Sequence, residues 1–264
     1  MTIDSACSAV IGKQTCQTAG NYFLDVHPDV EVEVKSLVPF TYSAFNKIRR
    51  DFHLKLLQLN GKSDHANEIF GYYFRHNLFG SSESLSGTGS SFAATKTIRS
   101  ALPDLLRDLG VTSVLDVPCG DFNWAKEVDW SPLHYIGADI VPELIERNQA
   151  LYASDGVEFI TLDILTDKLP RCDLALCRDL FIHLPNDHVQ CALERITQSG
   201  AKYLLATQYE KVTINRNIRL GSFRPINLVQ PPFCLGRPLQ SIFDGDYLST
   251  WGRTLALWRL GGES

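Results

Sequence analysis

Ser113-Val-Leu-Asp116-Val-Pro-Cys-Gly120-Asp-Phe-Asn-Trp124 is the stretch on which the fold turns. A short apolar run ends in a carboxylate and passes into a tight turn containing a glycine, as a buried strand does at its end. The pattern returns downstream, where Tyr135-Ile-Gly-Ala-Asp139 and Val157-Glu-Phe-Ile-Thr-Leu-Asp163 each close an apolar run with an aspartate. Further runs follow at Asp173 to Cys177 and Tyr203 to Thr207. Helical segments sit between them. One opens at Pro142-Glu143 and carries Leu144, Ile145 and Leu151; another opens at Pro185 and carries Val189, Ala192, Leu193 and Ile196 before Ser199-Gly200. Proline and acids near the start are what helix N-termini prefer. Short apolar runs alternating with helices predict βα units and a mostly parallel sheet. A last strand at Arg253 to Leu260, partnered near Gln240 to Phe243, completes a predicted seven-stranded, doubly wound α/β sheet whose final strand is antiparallel.

Upstream of Gly110 the pattern differs. From Tyr42 a helical spacing sets Phe45, Ile48, Phe52, Leu56 and Leu59 on one face, with Asn60-Gly61 as its stop. Residues 66 to 80 are rich in aromatics, and a polar, glycine-rich loop follows at 81 to 91. A third helical pattern carries Ile98, Ala101, Leu102, Leu105, Leu106 and Leu109, and Pro103 within it must kink the helix or begin a new turn. The first forty residues have no sustained period and read as an arm. The expected division is therefore an N-terminal arm and helical lid over 1–90 and a catalytic domain over 91–264. Tyr72, Tyr73, Phe74 and Phe79, with the Ser86-Gly87-Thr88-Gly89 loop, form the predicted lid; an ordinary packing surface is the competing reading.

A chain of 264 residues with 44% hydrophobic and 21% charged residues is globular, not disordered or low in complexity. No apolar run approaches the roughly 20 residues of a membrane span, and the start of the sequence lacks the pattern of a signal peptide, so a cytoplasmic protein is expected. Lys and Arg number 25 against 30 acids, a net charge of -5, which disfavours a nucleic-acid partner. Seven cysteines form no CxxC pair, which argues for reduced thiols and against a zinc site.

In an open parallel sheet the carboxyl ends of the strands line one crevice, where ligands bind. Asp116, Asp139 and Asp163 stand at successive strand ends about 23 residues apart and so converge on one ligand. A single aspartate there would more often cap the next helix; three in register favour a ligand. A carboxylate at Asp139 can accept both hydroxyls of a ribose, which would suit NAD as well. Asp163 tips the reading, because an acid at that place can accept from an exocyclic adenine amine.

With these residues in place, the sequence resembles the class I S-adenosylmethionine (SAM) dependent methyltransferases, over about residues 90 to 210. Their glycine-rich first motif corresponds to Asp116-Val-Pro-Cys-Gly120, their ribose acid to Asp139, their adenine-side acid to Asp163, and their fourth motif to Cys177-Arg178-Asp179 running into Ile182-His183-Leu184. More narrowly it is similar to a bacterial branch with an SGxGS loop, a PCGDFNW turn, a YIGADIV strand, a CRDxxxHL segment and an RPxNL loop. The resemblance implies a Rossmann-like fold and SAM as cofactor, held by Asp116, Pro118, Cys119, Gly120, Asp139, Ile140, Asp163, Ile164, Cys177 and Arg178. Pro118 and Phe122 stand where the wider family has glycines, and residues 210 to 238 are loop-like where a helix is usual.

His183, with Asp179, is the candidate acid/base pair; a histidine that only holds its loop by a backbone hydrogen bond is the alternative. Arg224 and Asn227, on the proline-studded stretch after the fifth strand, with Tyr209, Tyr72 and Tyr73, are the candidate substrate contacts, the arginine suited to a carboxylate or phosphate. Cys119 and Cys177 read as small apolar fillers. The expected function is O- or N-methylation of a small polar or anionic metabolite, such as a natural-product intermediate, with no metal. An enzyme that transfers or cyclises the aminocarboxypropyl arm of SAM, and a non-catalytic SAM-binding protein, would share the cofactor motifs.

Overall fold

The computed structural model describes residues 48–57, 65–79, 81–245 and 251–261. Every described residue belongs to one compact unit, Phe40–Ser264. The predicted arm, and the start of the helix expected from Tyr42, lie outside the described residues.

Residues 48–57 are helical (α1), followed by Ala66–Arg75 (α2) and Lys96–Leu109 (α3). The sheet then begins, with β1 Ser113–Asp116, β2 His134–Asp139, α4 Pro142–Tyr152, β3 Val157–Thr161, β4 Leu174–Cys177, α5 Asn186–Gln198, β5 Tyr203–Tyr209, β6 Gln240–Phe243 and β7 Arg253–Arg259. The seven strands lie in the order 3-2-1-4-5-7-6. Strands β1 to β5 are parallel, and β7 runs antiparallel between β5 and β6. This is the predicted doubly wound, Rossmann-like sheet.

Alternation along the strands explains its two layers. Val114, Tyr135, Leu174, Leu176 and Leu205 join Ile98, Leu102 and Leu105 of α3 and Ile145 of α4 in one buried cluster. Their strand neighbours Leu115, Ile136, Ala175, Cys177 and Leu204 join Val189, Leu193 and Ile196 of α5 in the other. Successive side chains on a strand point to opposite faces, so strands buried on both sides must be apolar at every position. Ile69 and Tyr73 of α2 belong to the second cluster.

Two helices differ from expectation. In α1 the predicted stripe is turned outward: Ile48, Phe52 and Leu56 are 65%, 63% and 41% exposed, while Leu54 and Leu57 are buried. Apolar residues occupy two sides of this helix, and the side that meets Ile69 and Tyr73 is the one that packs. Helix α3 passes through Pro103 unbroken, because Ile98, Leu102, Leu105 and Leu106 all anchor one face across the missing hydrogen bond. Among the described residues no helix is long and apolar enough to cross a membrane.

Candidate active site

Where β1 and β4 lie side by side their connections leave to opposite sides, and the crevice opens at this switch point. A cavity of about 760 Å³ lies over the carboxyl ends of β1 to β4, within the range of pockets that hold molecules of drug size.

Asp116, Pro118, Cys119, Gly120, Asp139, Ile140, Asp163, Ile164 and Arg178 all line it. Cys177 does not; it is wholly buried in β4, and burial holds its thiol well above the ordinary value. Asp116 Oδ2 accepts a 2.6 Å bond from the Tyr135 hydroxyl, while Asp116 Oδ1 is buried with no hydrogen-bond partner among the described residues. Burial pushes this carboxyl up to about 7, although Tyr135 and Arg178 pull the other way. Asp139 Oδ1 accepts from the Val141 amide at 3.1 Å and Oδ2 from the Gly120 amide at 3.2 Å. Burial raises Asp139 to about 6 against those bonds. Asp163 Oδ1 accepts from the Leu165 amide at 2.8 Å.

The turn after β1 is covered by the loop before α3. Gly120 has φ +55, and a Cβ there would lie 2.2 Å from Ser86 Oγ, so only glycine admits both the turn and its cover. Asp121 fastens that cover: its carboxylate accepts from the Ser84 and Ser86 hydroxyls at 2.9 and 3.1 Å and from the Leu85 amide at 2.7 Å. Further along the same loop, the Gly89 carbonyl accepts from Arg178 at 2.6 Å.

Arg178 belongs to a set of four charges. Its guanidinium meets Asp244 at 2.7 Å, and Arg253 from β7 meets Asp244 at 3.0 Å and Asp179 at 2.8 Å. Burial alone would raise the Asp179 carboxyl, but Arg253 and Arg178 outweigh it and hold it below the usual range. Asp179 adopts φ +61, strain for a non-glycine residue that its surroundings must sustain. A carboxylate so neutralised is a poor base.

His183 closes the short 3-10 turn Phe181–His183 beyond β4 and lines the cavity. Its Nδ1 lies 2.8 Å from the Ser222 carbonyl, which can only accept, so Nδ1 carries the proton and Nε2 the lone pair. Burial lowers its pKa below 6.5, against the Ser222 bond and the Asp179 charge. The ring is therefore neutral at neutral pH and oriented by its backbone partner. The two readings of this histidine are compatible, since one nitrogen holds the loop and the other stays basic.

The expected substrate contacts lie elsewhere. Arg224 is 4% exposed and is not part of the cavity wall; its guanidinium donates to Arg216 O at 2.9 Å, Phe181 O at 2.6 Å and Asn186 Oδ1 at 2.9 Å. Asn227 is spent on Gln208 and on the Glu210 and Val212 carbonyls. Tyr209 is buried off the cavity, Tyr72 stacks on His53 at 3.7 Å, and the Tyr73 hydroxyl donates to Gly221 O at 3.2 Å. An irregular segment has no helical ladder, so its backbone carbonyls consume the nearest donors, and Arg224 and Asn227 are those donors. From the predicted lid, Phe74, Phe79 and residues 86–89 do line the cavity, together with Phe70. Sequence reasoning missed Asp121, Asp244 and Arg253. Asp121 sat within the first motif as a signal; the other two become neighbours of the site only through the β6–β7 pairing.

Residues 114–200 match the protein family described as Methyltransferase domain. Among solved structures, the magnesium protoporphyrin IX methyltransferase ChlM from Synechocystis PCC 6803 with bound SAH is similar over 75% of this chain and 97% of its own, at 12% identity and a TM-score of 0.53. The N-methyltransferase NodS from Bradyrhizobium japonicum WM9 is similar over 64% of this chain and 97% of its own, at 15% identity and a TM-score of 0.50. The methyltransferase domain of bacterial CtHen1 is similar over 63% of this chain and all of its own, at 12% identity and a TM-score of 0.50. At these identities the likeness is one of fold. No curated protein matches the chain in sequence. The match over residues 114–200 is thus to a methyltransferase domain, on a fold shared with these methyltransferases.

The residues present fit SAM, the cofactor that the sequence resemblance implies. The unmet oxygen of Asp116 suits a cationic group, Gly120 leaves the turn open to close approach, and Asp139 and Asp163 retain lone pairs for hydroxyl and amine donors.

Proposed function

We propose that this chain methylates a small molecule at a nucleophile that arrives protonated, with His183 Nε2 as the base. In this reading Asp139 and Ile140 hold the cofactor ribose, Asp163 and Ile164 its adenine, and Asp116 and Gly120 the amino-acid arm. The cofactor supplies a methyl group on a sulfonium centre, open to in-line displacement. His183 takes the proton of the acceptor, and the aromatic and loop residues over the crevice keep water from the reacting atoms. Asp179 fixes charge beside the histidine and leaves the base role to it. The observation that carries the proposal is His183 on the cavity wall, with Nδ1 tied to Ser222 and Nε2 free to accept.

The expectation of a polar or anionic acceptor rested on Arg224 and Asn227, both of which serve the fold. A small acceptor remains, because one cavity of this volume must admit cofactor and acceptor together. The test is mass spectrometry of the cofactor product after incubation with SAM and a metabolite extract. S-adenosylhomocysteine is the expected product. Methylthioadenosine would mean aminocarboxypropyl transfer, and binding without any product would mean a non-catalytic protein.

A further inference from the structure

The acceptor's chemistry can be read from the walls around His183; this rests on the methyltransferase reading above. Phe70 of α2, Phe79 and Phe223 place their ring centroids 6.4, 5.5 and 6.2 Å from the imidazole. All three rings line the cavity, as do Leu54 of α1 and Ile182. Three separated segments of the chain thus contribute a phenyl group to one spot.

The arginines at the strand ends are not free for an acceptor. Arg178 and Arg253 are already matched by Asp244 and Asp179, and Arg224 behind the wall is taken up by Arg216, Phe181 and Asn186. Arg50 and Asp51 of α1 also line the cavity. Immediately around the imidazole the surface is largely aromatic, and His183 Nε2 is the acceptor among those rings.

We infer that the acceptor is a flat aromatic molecule bearing a phenolic hydroxyl, seated among Phe70, Phe79 and Phe223 with that hydroxyl on His183 Nε2. Offset and edge-on contacts with the phenyl rings favour a planar aromatic guest. The acidity of a phenol also suits an imidazole base. A phenol ionises near pH 10, about six units more readily than water. In the transfer the hydroxyl proton passes to Nε2 and an oxygen lone pair forms the new O–C bond. The C–S pair stays on sulfur, giving neutral S-adenosylhomocysteine, and the imidazolium returns its proton to solvent.

The experiment titrates 2-naphthol, and in parallel succinate, into the full chain saturated with S-adenosylhomocysteine, followed by calorimetry. Saturable binding of 2-naphthol and none of succinate is expected. Phe79→Ala, and separately the more exposed Phe223→Ala, should weaken 2-naphthol about tenfold, roughly the value of one aromatic pair, while S-adenosylhomocysteine binding, which also reports folding, stays unchanged. With SAM in its place, the wild type should form 2-methoxynaphthalene, and His183→Ala should bind 2-naphthol but form the product at least about a hundredfold more slowly. Tighter binding of succinate than of 2-naphthol, or unaltered 2-naphthol binding in both phenylalanine variants, overturns the acceptor class. If SAM binds and an extract yields S-adenosylhomocysteine while 2-naphthol does not bind, the acceptor class alone falls. Failure to bind SAM at all overturns the methyltransferase reading beneath it.

Discussion

One side of the cavity is made of strand ends, with Asp116, Asp139 and Asp163 each standing at or just beyond the close of a parallel strand. The other side has His183 on a short turn, phenyl rings from α2, from the turn after it and from residue 223, and a charged floor completed by Arg253 from β7. On the first side the sheet fixes position, so Asp139 and Asp163 need only a backbone amide or two to hold them, and Asp116 one tyrosine hydroxyl. On the second, position comes from long-range ties such as Ser222 O to His183 and Arg224 to Phe181 O. In the proposed function, the cofactor side is thus set by topology, and the acceptor side by side chains that must find one another across the sequence.

The sharpest way to break this division is His183→Ala. It should lower turnover by about 10²- to 10⁴-fold, the usual worth of a general base, with SAM affinity by calorimetry unchanged; a comparable loss of SAM affinity would merge the two sides. On the cofactor side, Asp139→Ala should weaken SAM about ten- to a hundredfold, from charge-assisted bonds worth about 1.5 to 3 kcal/mol. Unchanged binding in a variant with a native circular dichroism spectrum would remove the ribose assignment.

Arg224→Ala tests whether the acceptor side is held from behind. Loss of a buried guanidinium that satisfies two carbonyls should cost about 3 kcal/mol of stability in denaturant unfolding, with acceptor KM unaltered. A raised KM at normal stability would return Arg224 to the substrate.

Asp116 gives a pH-dependent effect. Its pKa is raised from 3.8 to about 7 in the fold, so its stabilising contribution is full below 3.8 and is lost as pH rises through about 7. The stability of the ligand-free wild type, measured relative to Asp116→Asn, should therefore decline across that window in thermal scans. SAM affinity should move oppositely, rising through about pH 7 as the bound cation draws off the proton, and that rise should be absent in Asp116→Asn. Smallest of all, Asp121→Asn weakens the hold on the Ser84–Ser86 segment, and stopped-flow displacement should show SAM leaving a few-fold faster, the worth of about one hydrogen bond.

Legibility in the sequence follows the same line. The strand runs, their carboxylates and the proline-marked helix starts were readable because each is a local pattern; the starts at Pro142 and after Pro185 fall where the sequence puts them. Seven strands and a final antiparallel pair were legible too. Arg224 and Asn227 misled because an irregular segment gives no period from which to tell inward from outward. Ile48, Phe52 and Leu56 misled for another reason: an apolar stripe on α1 says that a face can pack, and the surface offered by α2 decides which face does. Arg253 carries no local mark, since it reaches Asp179 only through the register of β7 against β5.

The position of β7 has a consequence for how the molecule comes to be. Strand β6 leaves the ribosome first, yet its sheet partner is β7 and β7 alone lies between it and β5. During synthesis β6 therefore has nothing to pair with, and the edge of β5 stays bare until some fifty residues later in the chain. An order of manufacture so different from the order of neighbours means that this end of the sheet cannot be laid down strand by strand as it emerges. The guanidinium that neutralises Asp179 arrives with the same late strand, so a nascent chain that already has its cofactor crevice still lacks a finished acceptor side.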